Sequence, residues 1–311
     1  MSSTWMFKNW IAASWDRLSP GRHLLLGIEQ WIFRERSPYQ EVVVARLPEL
    51  GRGLFLDGNI QFVEQDEFVY HEHLAIPSLL YHSRPKRVLI QGGGDGLALR
   101  EVLRDRRVEE AVLVDIDGVV VDACREHLAD LHQGSFDEPR AQVRIEDVLT
   151  YLSGSPGVFD VVLADLLDVY GPGSLDLYRK VLPLTRQALA PGGIVVLFGE
   201  LARPTYRVAP LFRELTRSFK HVEMYRACID SFACEYGFML ASDEIEFGQV
   251  PTEILKERAD NLSGPLKAVV PEQFPAAFLL PPHVEEHLKD DSYEPSSPKE
   301  TMSWIYPEDQ R

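Results

Sequence analysis

The chain has 311 residues, with 48 acidic against 32 basic side chains and a formal net charge of −16. Hydrophobic residues at 45% and charged ones at 26% match an ordinary globular protein, which excludes a collagen-like, coiled-coil or largely disordered chain. The length suggests two domains and a sizeable core.

No run of about 18 apolar residues is present, so no membrane-spanning helix is expected. Met1–Trp15 lacks the apolar stretch and small-residue cleavage site of a secretory signal. Cys124, Cys228 and Cys234 form no C-x-x-C pair, which fits a reduced cytoplasm without structural zinc. The acidic excess disfavours nucleic acid as a partner and is compatible with a cationic substrate, although solubility alone also explains it.

In chain order, the first 35 residues read as an irregular, Trp-rich arm with one amphipathic helix over Arg22–Glu35. Short alternating segments follow: strands over Glu41–Leu47, Leu54–Leu56 and Asn59–Val63, the last two joined by an Asp57-Gly58 hairpin turn. Glu67–Leu80 reads as a helix. From Arg87 onward strands and helices alternate. Strands are expected at Arg87–Gln91, Ala111–Val114, Gln142–Ile145, Phe159–Ala164 and Gly193–Phe198. Helices are expected at Leu97–Arg104, Gly118–Leu128, Leu175–Leu189 and Tyr206–Phe219, with closing strands at His221–Tyr225 and Tyr236–Leu240. Apolar strands in β–α alternation predict an α/β fold with a doubly wound, mostly parallel sheet, preceded by a small antiparallel β domain. The expected division is 1–76, 77–290 and an acidic tail, 291–311. Pro281–Arg311 carries eight acidic and three basic residues and reads as loosely docked, with Trp304 and Ile305 as its apolar anchors.

Ligands of such a sheet bind beyond the carboxyl ends of its strands. Reading just past each predicted strand gives Asp95 in the cluster Gly92-Gly93-Gly94-Asp95-Gly96, then Asp115, Asp147, and Asp165 with Asp168. The glycines let backbone approach a ligand at a helix N-terminus. Asp115 stands 21 residues beyond Gly94, close to the spacing at which an acid holds ribose hydroxyls. An adenosine-containing ligand follows. Asp95 occupies the place of a pyrophosphate and would repel one, so a positively charged sulfonium nucleoside fits better than NAD or FAD. As plain structural residues, Asp115 and Asp147 would be caps or turn formers, and Tyr70 and His71 packing residues of a helix. His283 and His287 have i, i+4 spacing but lack a third ligand, so no metal site is expected.

These pieces resemble the polyamine aminopropyltransferases (spermidine synthases). The resemblance runs from Ser37 to Ser242 and weakly through Ala276–Leu288, and rests on Tyr39-Gln40, Leu56-Asp57-Gly58-Asn59-Ile60-Gln61 and Asp66-Glu67-Phe68-Val69-Tyr70-His71-Glu72. The glycine cluster, Asp165-x-x-Asp168-x-x-Gly171-Pro172 and Gly237-Phe238-Met239-Leu240 complete it. It implies a methyltransferase-like Rossmann domain after the small β domain, and a homodimer or homotetramer. The implied reaction moves an aminopropyl group from decarboxylated S-adenosylmethionine, a co-substrate rather than a tightly bound cofactor, to a polyamine. Putrescine is the default acceptor and methylthioadenosine the product.

By the same matching, Asp165 is the proton acceptor, Asp168 holds the acceptor amine and Asp95 faces the donor's ammonium. Gln40 and Asp115 hold the methylthioadenosine part over Gly92, Gly93 and Gly94. Asp147 and the Val148 backbone read the adenine edge, and Pro172 lines its pocket. Tyr70 and His71 contact the polyamine, with Glu200 as a further carboxylate. No metal is implied.

The chain departs from the family pattern at Leu166, Leu167 and Val169, which are expected to line an apolar gate. It departs again at Asp230–Tyr236, which replaces a Pro-Ser/Thr-Tyr-Pro segment and resembles a bacterial branch of the family. Two alternatives stand beside transfer of an aminopropyl group: an S-adenosylmethionine methyltransferase, and a catalytically silent binding relative. Asp95 beside the methyl donor's carboxylate disfavours the first, and a retained Asp165 disfavours the second.

Overall fold

Short runs of apolar and β-branched residues build the described chain up to Val63 as sheet. The computed structural model describes residues 9–13, 24–154, 157–169, 172–201 and 208–290. Strands β1 (Asn9–Ala13) and β2 (Leu24–Ile28) pair antiparallel. Strands β3 (Gln30–Arg36), β4 (Glu41–Leu47), β5 (Gly51–Leu56) and β6 (Asn59–Val63) form a four-stranded antiparallel sheet in sequential order. The predicted hairpin turn is there, with φ of 49° at Asp57 and 77° at Gly58, as a tight hairpin of this hand requires.

The helix expected at Arg22–Glu35 does not form; its described part is β2 and β3. Trp31, Ile32 and Phe33 are strand formers, and Gly27 weakens a helix. Pairing with β4, from Gln30↔Arg46 to Arg36↔Glu41, outweighs the helical periodicity.

A seven-stranded sheet is built from Arg87 onward. Its strands are β7 (Arg87–Gly92), β8 (Glu110–Asp115), β9 (Ala141–Ile145), β10 (Phe159–Asp165), β11 (Leu189–Glu200), β12 (His221–Ile229) and β13 (Cys234–Ser242). The spatial order is β12-β13-β11-β10-β7-β8-β9. The five strands from β11 to β9 are parallel, and β13 and β12 finish the edge antiparallel. The chain steps outward from β7 to β9, then returns to the other side of β7 with β10. The switch point therefore lies between β7 and β10, where a crevice opens at the carboxyl ends.

Both sheet faces are buried, which explains the unbroken apolar runs. One face, with Ile90, Leu113 and Leu163, shares a core with helices α1 (Glu67–Tyr81), α2 (Leu97–Leu103) and α3 (Gly118–His127) and with the small sheet. The other, with Leu89, Val112 and Val162, packs on α4 (Val148–Ser153), α5 (Pro172–Ala188) and α6 (Val208–Ser218). The segment expected to dock loosely from Pro281 is in fact anchored at its start. Pro282–Lys289 is a helix whose Val284 and Leu288 are buried on that second face. Trp304 and Ile305 lie outside the described residues.

Helix α1 is tied to the chain far downstream by a buried carboxylate. Glu72 accepts hydrogen bonds from the backbone N–H groups of Lys267, Ala268 and Val269 and from Arg104. Replacing it with glutamine puts an amide donor against these donors and leaves Arg104 short of a partner. Glu72→Gln is expected to cost about 3 kcal/mol, read as a lowered urea midpoint. An unchanged midpoint would refute the tie.

Candidate active site

Close approach of two strand ends shapes the floor of the crevice. Gly92 pairs with Asp165 across β7 and β10 at a φ of 81°, and a Cβ there would collide with the Asp165 backbone oxygen. Glycine alone fits. Two residues on, the Gly94 N–H donates to Asp115 Oδ2 at 2.9 Å, and the Asp117 N–H donates to Asp115 Oδ1 at 2.8 Å. Burial pushes the Asp115 carboxyl up to about 6, against the pull of those two hydrogen bonds. Asp95 Oδ1 accepts from the Leu97 N–H at 2.8 Å, while its Oδ2 lies 3.8 Å from His71 Nε2. Asp147 caps α4 by accepting from the Thr150 N–H at 3.0 Å, so it serves as a cap and still borders the crevice.

Helix α1 and strand β13 bring partners for these acids and for the pair at and just beyond the end of β10. The Tyr70 hydroxyl donates to Asp165 Oδ1 at 2.7 Å, and the Tyr236 hydroxyl donates to Asp168 Oδ2 at 3.2 Å. Burial, then the charge of Asp95, pushes Asp165 up to about 7; His71 and the Tyr70 hydrogen bond hold it from rising further. His71 is 1% exposed, and its Nδ1 faces two acceptors, the Glu67 backbone oxygen at 2.7 Å and Oε2 at 3.1 Å. That nitrogen therefore carries a proton. Burial works against a charged His71, but Asp95 and Glu67 prevail and raise it to about 10. Glu67 is in turn gripped by both terminal nitrogens of Arg100 at 2.8 Å. Burial opposes its ionisation too, yet His71 and Arg100 hold its carboxyl down at about 2.

The small sheet supplies the opposite wall. Asp117 Oδ2 accepts from the Ser37 hydroxyl at 2.7 Å and from Gln40 Nε2 at 3.0 Å, which leaves the Gln40 amide oxygen for a ligand. Leu54, Leu56, Asn59, Ile60 and Gln61 complete that side of a cavity of about 410 Å³. Seven carboxylates line it, and among the described lining residues there is no lysine or arginine. Such a cavity suits a cationic ligand, with one carboxyl able to exchange a proton near neutrality.

Comparison with known proteins agrees with this chemistry. Residues 67–249 match the spermine/spermidine synthase domain, and residues 9–64 match the spermidine synthase tetramerisation domain. The chain belongs to the spermine/spermidine synthase family. It is 42% identical over 245 residues to the polyamine aminopropyltransferase of Aeropyrum pernix, covering 77% of each chain. It is 40% identical over 239 residues to polyamine aminopropyltransferase 2 of Pseudomonas aeruginosa, covering 76% of this chain and 68% of that one. The spermidine synthase of Thermotoga maritima superposes with a TM-score of 0.79 at 28% identity, covering 90% of this chain and 94% of the other. A spermidine synthase in complex with the transition state analogue AdoDATO superposes at 0.81 and 29%, covering 90% and 95%. The α/β fold with its antiparallel preface and the aminopropyltransferase class of enzyme stand on these likenesses.

Within this family fold, one cavity collects Gln40, Tyr70, His71, Gly92, Gly93, Gly94, Asp95, Asp115, Asp147, Val148, Asp165 and Asp168. Pro172 opens α5 and Glu200 ends β11; their side chains lie outside the described residues. Leu166 and Leu167 line the cavity as the gate reading expects. Val169 does not. It is 1% exposed and belongs to the second core, because the loop turns inward after Asp168. Sequence reasoning passed over Asp117, Phe198 and Glu146. Asp117 meets Ser37 and Gln40 across 80 and 77 positions, a separation at which local pattern is silent.

The raised Asp165 carboxyl carries a consequence for stability. Its ordinary value is 3.8 and its folded value about 7, so the fold favours the protonated form and loses stability as pH rises through that window. Asp165→Asn should therefore show a higher urea midpoint than the native chain at about pH 8, with the gap closing below about pH 4. Equal midpoints at the higher pH would contradict the buried, raised carboxyl.

Proposed function

We propose that the chain transfers an aminopropyl group from decarboxylated S-adenosylmethionine to a polyamine, with putrescine as acceptor and Asp165 as proton acceptor. The observation that carries this reading is the Asp165 carboxyl. It stands at the switch point, is oriented by Tyr70, is poised near neutrality, and shares its cavity with Asp95, Asp115 and Asp168.

A polyamine nitrogen is protonated at neutral pH and has no lone pair to attack with. Asp165, ionised, takes that proton, and Asp168 holds the amine in line. The freed nitrogen pair forms a bond to the methylene beside the sulfonium. The carbon–sulfur bond breaks and its electron pair stays on sulfur, giving neutral methylthioadenosine. Asp95, beside protonated His71, faces the donor's ammonium. Asp115 and the Gln40 oxygen take the ribose, and Asp147 with the Val148 N–H reads the adenine. The family resemblance assigns Pro172 to that pocket and Glu200 to the acceptor amine. Acids at four strand ends suit a reaction in which both substrates arrive positively charged.

The same reading divides the chain at 76 and 290, into the arm with its small sheet, the catalytic domain and the acidic tail. It assembles the protein as a homodimer or homotetramer through the small β domain. Three free thiols suit a cytoplasmic setting.

Incubation with decarboxylated or ordinary S-adenosylmethionine and a panel of amines, with products identified by mass, tests the reaction directly; a methylated product would refute it. Asp165→Asn is expected to lose at least about 10²-fold in turnover while still binding methylthioadenosine, as removal of a general base requires. In the native chain kcat/KM should climb with pH up to a limb near about 7, since only ionised Asp165 accepts the proton. Retained turnover in the variant would remove Asp165 from the role. Asp95→Asn should weaken the decarboxylated donor more than methylthioadenosine, which has no ammonium. Equal weakening by calorimetry would place Asp95 elsewhere.

A further inference from the structure

The acceptor side of the cavity ends in rings. Tyr70 and Tyr236, whose hydroxyls hold Asp165 and Asp168, both abut Phe232, with centroids 6.3 and 5.2 Å away. Phe232 lines the cavity yet is only 4% exposed. Its ring thus packs against both tyrosines that hold the two acids and forms part of the same cavity wall.

The ring is held rather than merely packed. Phe232 ends the 3₁₀ turn Asp230–Phe232 at the tip of the β12–β13 hairpin. Its neighbour Ser231 donates from N–H to Asp66 Oδ2 and from its hydroxyl to Oδ1, each at 2.8 Å. Asp66 sits at the N-cap position of α1 but makes no cap hydrogen bond there. An aspartate at that position ordinarily satisfies its own helix. Here both its oxygens are spent on the turn that carries Phe232. Ala233 then leaves the turn at a φ of 51°, which a residue with a Cβ adopts only when its surroundings impose it.

We propose that Phe232 is the length gauge of the acceptor slot, stopping a short diamine against its ring and excluding a longer polyamine, with Asp66 and Ser231 as its positioning residues. The proposal rests on aminopropyl transfer as the activity. On this proposal a four-carbon diamine would span from the acids to the aromatic wall, with its far ammonium against the rings. A triamine carries one more aminopropyl arm, and that arm has to occupy the space of the ring.

The test compares kcat/KM for putrescine and spermidine in the native chain, Phe232→Ala and Ser231→Ala, with methylthioadenosine affinity as a check on the fold. The native chain is expected to favour putrescine. Phe232→Ala should raise the spermidine-to-putrescine ratio about tenfold or more, the scale on which a pocket resolves a few methylenes. Ser231→Ala should shift it the same way by less, without loss of methylthioadenosine binding. If Phe232→Ala does not fold, Ser231→Ala decides alone. A ratio unchanged in variants that still bind methylthioadenosine, or a native preference for spermidine, overturns the gauge and leaves the activity standing. Absence of aminopropylated product from the native chain with any amine overturns the activity itself.

Discussion

The imidazole of His71 is the charge around which the acidic rim is assembled. Carboxylates brought to one sheet edge and partly stripped of water repel one another, and each pushes its neighbours toward the neutral form. His71 stands between Glu67 and Asp95 with no lysine or arginine among the described residues of the cavity wall. Its charge is secured from behind by Glu67, and Glu67 by the two-pronged grip of Arg100. Cation and anion alternate from the core to the cavity. The last anion, Asp95, borders the cavity. Asp165, farther from this relay, is left near neutrality, where a proton can come and go.

Helix α1 distributes these contacts. Its Tyr70 reaches β10, His71 the loop after β7, Glu67 the helix α2, and Glu72 the backbone near Val269. Consecutive residues of one helix point around its axis, so a single rigid element can register four distant pieces of chain at once. Asp66, just before it, reaches a fifth, the β12–β13 hairpin. This explains why a helix with so many polar side chains is nonetheless buried along most of its length.

Much of this was legible from the sequence because its determinants are local. Strand–acid–helix repeats announce the rim: the β ladder puts every strand end on one edge, whatever the strand order. Gly92 and Gly94 were readable as a backbone approach, and the structure adds what approaches them, the Asp165 backbone and the Asp115 carboxylate. Nonlocal facts stayed hidden. The segment Leu24–Arg36 has a helical spacing of apolar residues, and only the availability of β4 as a partner decides for strand. Val169 follows two cavity-lining leucines in sequence but turns into the core, a choice made by loop geometry. Asp117 looks like an ordinary helix cap, and it is one, accepting from the Val119 N–H at 3.1 Å. Its second oxygen, which orients Gln40 from another sheet, has no signature in the sequence.

That second oxygen has a wider effect. Because Gln40, Asn59 and Ile60 stand on one side of the cavity and Gly94, Asp115 and Asp165 on the other, anything bound between them bridges two sheets. Occupancy then acts as a brace. By mass action a ligand present at about 100 times its dissociation constant adds roughly 2.7 kcal/mol to the folded state. The loaded enzyme should therefore outlast the empty one against heat and proteases.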